Sequence, residues 1–321
     1  MTPLLTRLSL ALCVSAAFLL LSCTGGGDGP APPASSAAEL AERFAPRLFV
    51  APDDPSGPVD VGIVWNDDAS LCRHLDPEPD SCSQRLPTSA AEMEAEGYYL
   101  DLPGDVEPQA AAEAYSSLEA AYEDTAYGRV KLDQGHLAVQ YWFYYYFNDW
   151  AADHEGDWEM VQLLFDAAGC TEEESCAEAI LDLESEPLSA TYAQHSCAET
   201  RAWDDVLRDG DHPSVFVATG SHASYFEPFP ERPLANPQCA FGIETAADER
   251  SARYLSPKVR LLPEVEGAAG TEFEWLRFRG RWGQSTKKGC LGDLCAGPTG
   301  PATKERWDGP YAWAQRWAAG P

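Results

Sequence analysis

The strongest constraint on this chain is an aromatic run. From His136 to Phe147 the sequence reads HLAVQYWFYYYF. Side chains of a β-strand alternate between two faces with period two. Apolar residues fill both parities of this run, so as a strand it has no face left for water. It must lie in a sheet covered on both sides. Gln134-Gly135 before it reads as a turn, and Arg129 to Leu132 as the other arm of a β-hairpin. A second apolar strand follows at Gly156 to Phe165, GDWEMVQLLF. Leu188 to His195, Ser214 to Thr219, Lys258 to Leu262 and Phe273 to Arg279 read as further strands bounded by turn residues. Val50 to Pro87, rich in Pro, Asp and Ser, reads as strand and loop. Helices are few. One runs from Ala38 to Arg47 and ends near Pro46, and another covers Gln109 to Asp124 on the surface. The 25 Gly and 25 Pro suit a turn-rich chain. These features predict a mainly β fold: a single β-sandwich domain with a few peripheral helices and long loops.

The N-terminus reads as an export signal. Arg7 is the only charge before Asp28, and an apolar run follows from Leu8 to Leu21. At about 14 residues it is shorter than the roughly 20 that a transmembrane helix needs, and it fits the apolar core of a secretory signal. Leu20-Leu21-Ser22-Cys23 resembles a bacterial lipobox, with Cys23 as the lipidated residue. Acyl chains on Cys23 would give stable membrane anchoring. An ordinary signal peptide cut elsewhere is the alternative. The expected organisation is a signal peptide at 1–22, a flexible tether at 23–37 and one domain at 38–321. This places the protein outside the cytoplasm, lipid-anchored at a bacterial cell envelope.

Cysteine usage agrees with export. Setting aside Cys13 in the signal and Cys23 leaves eight: Cys72, Cys82, Cys170, Cys176, Cys197, Cys239, Cys290 and Cys295. An even number in an exported chain points to disulfides. Spacing suggests Cys72–Cys82, Cys170–Cys176 and Cys290–Cys295 as local clips, with Cys197–Cys239 as the long-range remainder. A zinc cluster is the alternative, but no C-x-x-C pair is present.

Charge bounds the partners. With 22 Lys+Arg against 52 Asp+Glu, the formal net charge is −30. A chain this acidic lacks the basic face that nucleic acid requires, and it lacks a polybasic dock for anionic lipid. Some of the acid has a different meaning. In Asn148 to Glu159, NDWAADHEGDWE, His154, Asp157 and Glu159 form H-x-x-D-x-E at the head of an apolar strand. Asp157 and Glu159 then share a face, with Cβ atoms roughly 7 Å apart, a gap that one cation can bridge. His154 stands on the turn before them, and Asp149 or Asp153 can add an oxygen. Such an oxygen-rich set favours Ca²⁺, Mg²⁺ or Mn²⁺ over Zn²⁺. A solvated acidic edge is the alternative, weakened because charge inside an apolar strand must be paired or coordinated.

His195 and His222 stand at strand ends, in Gln194-His195-Ser196 and Gly220-Ser221-His222-Ala223. Ser221 and His222 are adjacent, and adjacent side chains of an extended segment point opposite ways, which argues against a Ser–His nucleophile pair. Ser221, His195 and His222 are read instead as residues supporting the metal ligands. His74, His136 and His212 show no partner pattern. For hydrolysis, Glu155 and His222 are the candidate acid–base groups.

Gln140-Tyr141-Trp142-Phe143-Tyr144, Asn148-Asp149 and His154-Glu155-Gly156-Asp157-Trp158-Glu159 resemble blocks of the vacuolar protein sorting-associated protein 62 related family. So do Gln194-His195, Gly220-Ser221-His222-Ala223-Ser224-Tyr225, Arg281-Trp282-Gly283 and Gly297-Pro298-Thr299-Gly300-Pro301, over roughly Tyr127 to Trp307. A more distant resemblance is to the necrosis- and ethylene-inducing-like proteins, secreted toxins with a G-H-R-H-D-W-E motif. His154, Asp157, Trp158 and Glu159 match that motif, while Asp153 replaces its Gly and Gly156 its second His. That resemblance implies a β-sandwich holding a divalent cation through His, Asp and Glu. Asp149 is the nearest counterpart of its upstream acidic ligand. The expected function is cation-dependent binding of a polar ligand, a glycan or a lipid headgroup. A metal-dependent hydrolase and an envelope scaffold without ligand chemistry are the alternatives.

Overall fold

The aromatic run occupies the middle of the largest sheet. The computed structural model describes residues 35–318, except 67, 74–79, 105, 151–152, 237–238 and 285–296. The predicted signal peptide with Arg7 and Cys13, the lipid site Cys23, most of the tether, His74, and the Cys290–Cys295 pair lie outside the described residues. In chain order the strands are β1 (Arg47–Val50), β2 (Ser70–Arg73), β3 (Ser81–Gln84), β4 (Tyr98–Asp101), β5 (Thr125–Asp133), β6 (His136–Asn148), β7 (His154–Asp166), β8 (Ser189–Gln194), β9 (Cys197–Ala202), β10 (Arg208–Asp209), β11 (His212–Val217), β12 (Ser224–Tyr225), β13 (Phe229–Asn236), β14 (Ala240–Ala246), β15 (Arg253–Leu255) and β16 (Lys258–Leu261). The helices are α1 (Ser36–Arg43), α2 (Ala90–Glu94), α3 (Pro108–Leu118), α4 (Glu173–Asp182), α5 (Glu305–Asp308) and α6 (Pro310–Gln315).

The six-stranded sheet runs β16-β5-β6-β7-β8-β9. β5 and β6 form the predicted hairpin, turning through Gln134 (φ 51°) and Gly135 (φ 78°). β6 pairs with β7 antiparallel from His136↔Asp166 to Asn148↔His154. Tyr141, Phe143 and Tyr145 of β6, with Val161, Leu163 and Phe165 of β7, face one core. That core is closed by Leu48, Val50, Val215 and Val217 of a second sheet, ordered β10-β11-β1-β15 with β12 on β11. The two sheets make the sandwich. Trp142, Tyr144, Tyr146, Trp158 and Met160 face the other way, into a second core with Tyr115 of α3, Trp275, Trp282, Trp307 and Trp313. Both faces of the aromatic strand are therefore covered, as its composition requires. A three-stranded sheet, β3-β2-β4, flanks this second core, and β13-β14 form a separate hairpin. Residues Ala34–Pro321 make one compact unit. Among the described residues no helix is long and apolar enough to cross a membrane.

Four local expectations change. Phe273 to Arg279 is not a strand but a 3₁₀ turn over Glu274–Arg277. Its backbone bonds are local, as in Leu276 N–H to Phe273 C=O and Phe278 N–H to Trp275 C=O, and they bury the adjacent Trp275 and Leu276 together. α1 starts at Ser36, capped by the Ser35 side chain, and buries Ala37, so the helix takes in the end of the expected tether. α4 and the β13–β14 hairpin are additional elements. Cys72–Cys82 and Cys197–Cys239 are joined as expected, but Cys170 and Cys176 are free thiols. They meet by a hydrogen bond, and burial, together with Cys170, pushes the Cys176 thiol up to about 12. Cys176 is fixed inside α4 against the first core, while Cys170 sits on the turn that precedes the helix.

Candidate functional site

The start of β7 carries the site, and Gly156 determines its geometry. Its φ is 63°, and a Cβ there would lie 2.0 Å from the Trp282 carbonyl oxygen. Only glycine fits this left-handed, close-packed position. The bend separates the two acids on either side. Glu155 is buried, and its Oε2 accepts from the backbone N–H of Leu102 (3.1 Å) and of Gln284 (2.9 Å). His154 turns back on the chain, its Nδ1 donating to the Gly156 carbonyl at 2.7 Å. Asp157 and Glu159, beyond the bend, lie opposite Tyr145 and Phe143 on the face of the first core.

Asp157 is a buried acceptor. Its Oδ2 receives Asn148 Nδ2 and His222 Nδ1, each at 3.0 Å. His222 is fully buried and stacks on the Tyr145 ring at 4.0 Å and 4°. Its other nitrogen, Nε2, lies 3.3 Å from Ser56 Oγ and 3.8 Å from Asp54 Oδ2. Burial pulls the imidazole pKa down, but the hydrogen bonds and charges of Asp157 and Asp54 outweigh it and raise it to about 9. His222 is thus an imidazolium held between two carboxylates at neutral pH. Both carboxyls are correspondingly held below their ordinary range despite burial. Gly220 allows this placement. Its φ is 74°, a Cβ there would lie 2.3 Å from the Asp149 carbonyl oxygen, and its own carbonyl accepts from Asp149 N–H at 3.0 Å. His222 itself has φ 56°, a strained value for a residue with a Cβ.

Glu159 has no such support. It is buried, and its Oε2 has no hydrogen-bond partner. Burial, and then the charge of Asp157, push its carboxyl well above the ordinary range. Continuing the β7–β8 register from Val161↔Tyr192 sets Gln194 beside it, and Gln194 Nε2 is likewise buried without a partner. An unmet acceptor and an unmet donor thus stand on neighbouring strands, and buried polar groups ordinarily have partners.

His195 belongs to a second cluster. Its Nε2 lies 2.7 Å from Glu244 Oε1, and its ring stacks on Trp150 at 4.7 Å. Glu244 also accepts from the Ser221 and Tyr225 hydroxyls. Burial raises this carboxyl, yet the bond from His195 and the two hydroxyls hold it below its usual value. Ser221 and His222 do point opposite ways, Ser221 to Glu244 and His222 to Asp157, so they make no nucleophile pair.

The structure therefore joins Asp157 to His222, sets Glu159 further along the same face of β7, and turns the neighbouring Ser221 to Glu244. Asp149 is exposed and Asp153 half-buried, outside this arrangement. The sequence did not point to Asp54, Ser56 or Glu244, and it offered Asn148 and Tyr225 only as members of the resembling blocks. Asn148 was visible at the end of the aromatic run, whereas Asp54 and Glu244 sit in segments with no motif. Two carboxylates fit a hard cation, with Glu159 Oε2 as the open oxygen. Among the described residues neither His154 nor His222 completes, with Asp157 and Glu159, a group of three donor atoms within 4.8 Å of one another. Cys72, Cys82 and Asp101 do form such a group, but the two sulfurs are bonded to each other and offer no thiolate.

No family model matches the chain, and no curated protein matches it. Solved structures of necrosis- and ethylene-inducing toxin-fold proteins are its structural neighbours. One, described as a toxin fold for microbial attack and plant defense, is 18% identical with a TM-score of 0.40, covering 75% of this chain and 83% of that one. NLPPya in complex with glucosamine is 16% identical, with a TM-score of 0.38 over 75% of this chain and 83% of that one. Necrosis and Ethylene inducing Protein 2 from the causal agent of cocoa's Witches Broom disease is 13% identical, with a TM-score of 0.31 over 60% and 69%. Likeness at this distance assigns neither ligand nor activity to this chain.

Proposed function

We propose that this chain is a lipid-anchored protein of a bacterial cell envelope that binds a polar ligand, a glycan or a lipid headgroup, through a divalent cation. The cation is held by Asp157 and Glu159, with Ca²⁺, Mg²⁺ or Mn²⁺ preferred over Zn²⁺ because the available donors are carboxylate oxygens. The observation that carries this reading is the Glu159 carboxylate oxygen, buried without a partner beside Asp157. A buried carboxylate needs a proton or a cation. His222 and Asn148 hold Asp157 in place from its other oxygen. Binding rather than turnover is favoured because Glu155 and His222, the groups hydrolysis would use, are already engaged in buried hydrogen bonds. Export through the signal at 1–22 and anchoring at Cys23 belong to the same proposal, supported by the two disulfides. So does membership of the vacuolar protein sorting-associated protein 62 related family, supported by the ordered blocks from Gln140 to Pro301. The test is thermal unfolding of the metal-stripped domain with each cation. Ca²⁺, Mg²⁺ or Mn²⁺ should raise the melting temperature of the parent and not of Glu159→Gln. Absence of any shift in the parent contradicts the proposal.

A further inference from the structure

The other face of the sheet holds an unpaired cluster of the opposite sign. Arg306, on α5, is only 8% exposed. Its guanidinium lies between the Trp142 ring, at 5.2 Å, and the Trp313 ring, at 5.5 Å. Such stacking satisfies the faces of the guanidinium and leaves its N–H edge to find acceptors. Its Nε is buried without a partner, and among the described residues no carboxylate lies within ion-pair distance. Lys304 stands two residues earlier, half-buried, and its ammonium also makes no hydrogen bond or ion pair to a described residue. Burial, then repulsion from Arg306, lowers it to about 8 despite the attraction of Glu159 and Asp157. Arg281 adds to the repulsion. Glu159 and Asp157 act on Arg306 only from a distance, since Glu159 Oε2 itself touches no donor. In a chain with 52 acids against 22 bases, two neighbouring cations without a carboxylate are out of keeping with the surroundings.

We propose that Lys304 and Arg306 form a binding site for a small oxyanion, the phosphate group of a free ion or of a phosphomonoester. Lys304 and Arg306 stand two residues apart, and Lys304 is the more exposed of the two. A guanidinium presents paired donors that match phosphate oxygens, and an ammonium adds a compact charge. The ligand enters beside Lys304, whose exposure exceeds that of Arg306. This site lies on the other face of the sheet from the proposed cation site, and its test uses different residues.

The test is the rate of reductive methylation of Lys304, followed by mass spectrometry, in phosphate, in glycerol 3-phosphate and in chloride at equal ionic strength. Phosphate or glycerol 3-phosphate should slow the labelling of Lys304 several-fold relative to chloride, and the better protector identifies a free ion or an ester as the ligand. Arg306→Met should abolish the protection. Should that variant fail to fold, Lys304→Met replaces it. Phosphate should then raise the melting temperature of the parent but not of Lys304→Met. Labelling that is equal in all three salts, or an equal melting shift in Lys304→Met, overturns the proposal.

Discussion

His222 Nδ1 meets Asp157 Oδ2 at 3.0 Å inside the protein, with the His222 ring flat against Tyr145. This contact ties the turn after β11 to the head of β7 and adds a charged link to the apolar packing between the two sheets. Removing one partner of a buried pair leaves the other without compensation. His222→Phe, which keeps the stack on Tyr145, should destabilise the protein by about 3–5 kcal/mol. Denaturant unfolding checks this, and adding Asp157→Asn should recover part of the loss.

Gly156 is fixed by conformation and space together. Gly156→Ala places a methyl 2.0 Å from a backbone oxygen at a φ of 63°. The expected loss is at least about 2 kcal/mol. A denaturation midpoint equal to that of the parent would show that Trp282 and its loop move aside without cost.

Glu244 links the β13–β14 hairpin to the body through His195, Ser221 and Tyr225. Its folded carboxyl titrates lower than in the unfolded chain. The stability it contributes is therefore present above the unfolded value, near 4.5, and is lost as pH falls through the folded one. Glu244→Gln should cost about 1–3 kcal/mol at neutral pH. It should also flatten the fall in stability between neutral and acid pH. Unfolding curves across that range, parent against variant, decide it.

The same hairpin is held by Cys197–Cys239, which are 42 residues apart in sequence. The chain-entropy estimate for a loop of this size is about 4 kcal/mol. Replacing both with serine should lower stability by up to that amount and leave the β5–β6–β7 core folded, as read by hydrogen exchange in those strands.

The sequence made the sandwich legible where burial and periodicity coincide. His136 to Phe147 allowed only a doubly covered strand, and Gln134-Gly135 marked its turn. Asp157 and Glu159 stood out because they interrupt an apolar strand. The reading weakened where neither signal operates. Phe273 to Arg279 reads as a strand, but its backbone bonds close locally into a 3₁₀ turn that buries Trp275 and Leu276 side by side. His154 looked like a ligand by spacing, yet the left-handed Gly156 turns the chain and leaves the imidazole on a backbone carbonyl. Asp54 and Glu244 reach their partners over 168 and 49 residues of chain at most, and spacing carries no trace of contacts so distant.

The central claim is that Asp157 and Glu159 hold a divalent cation. Equilibrium dialysis of the metal-stripped domain against Ca²⁺, Mg²⁺ or Mn²⁺, followed by elemental analysis, tests it most directly. The account predicts one tightly held cation per chain in the parent and none in Glu159→Gln. A parent that retains no cation, or a Glu159→Gln variant that retains as much as the parent, contradicts it.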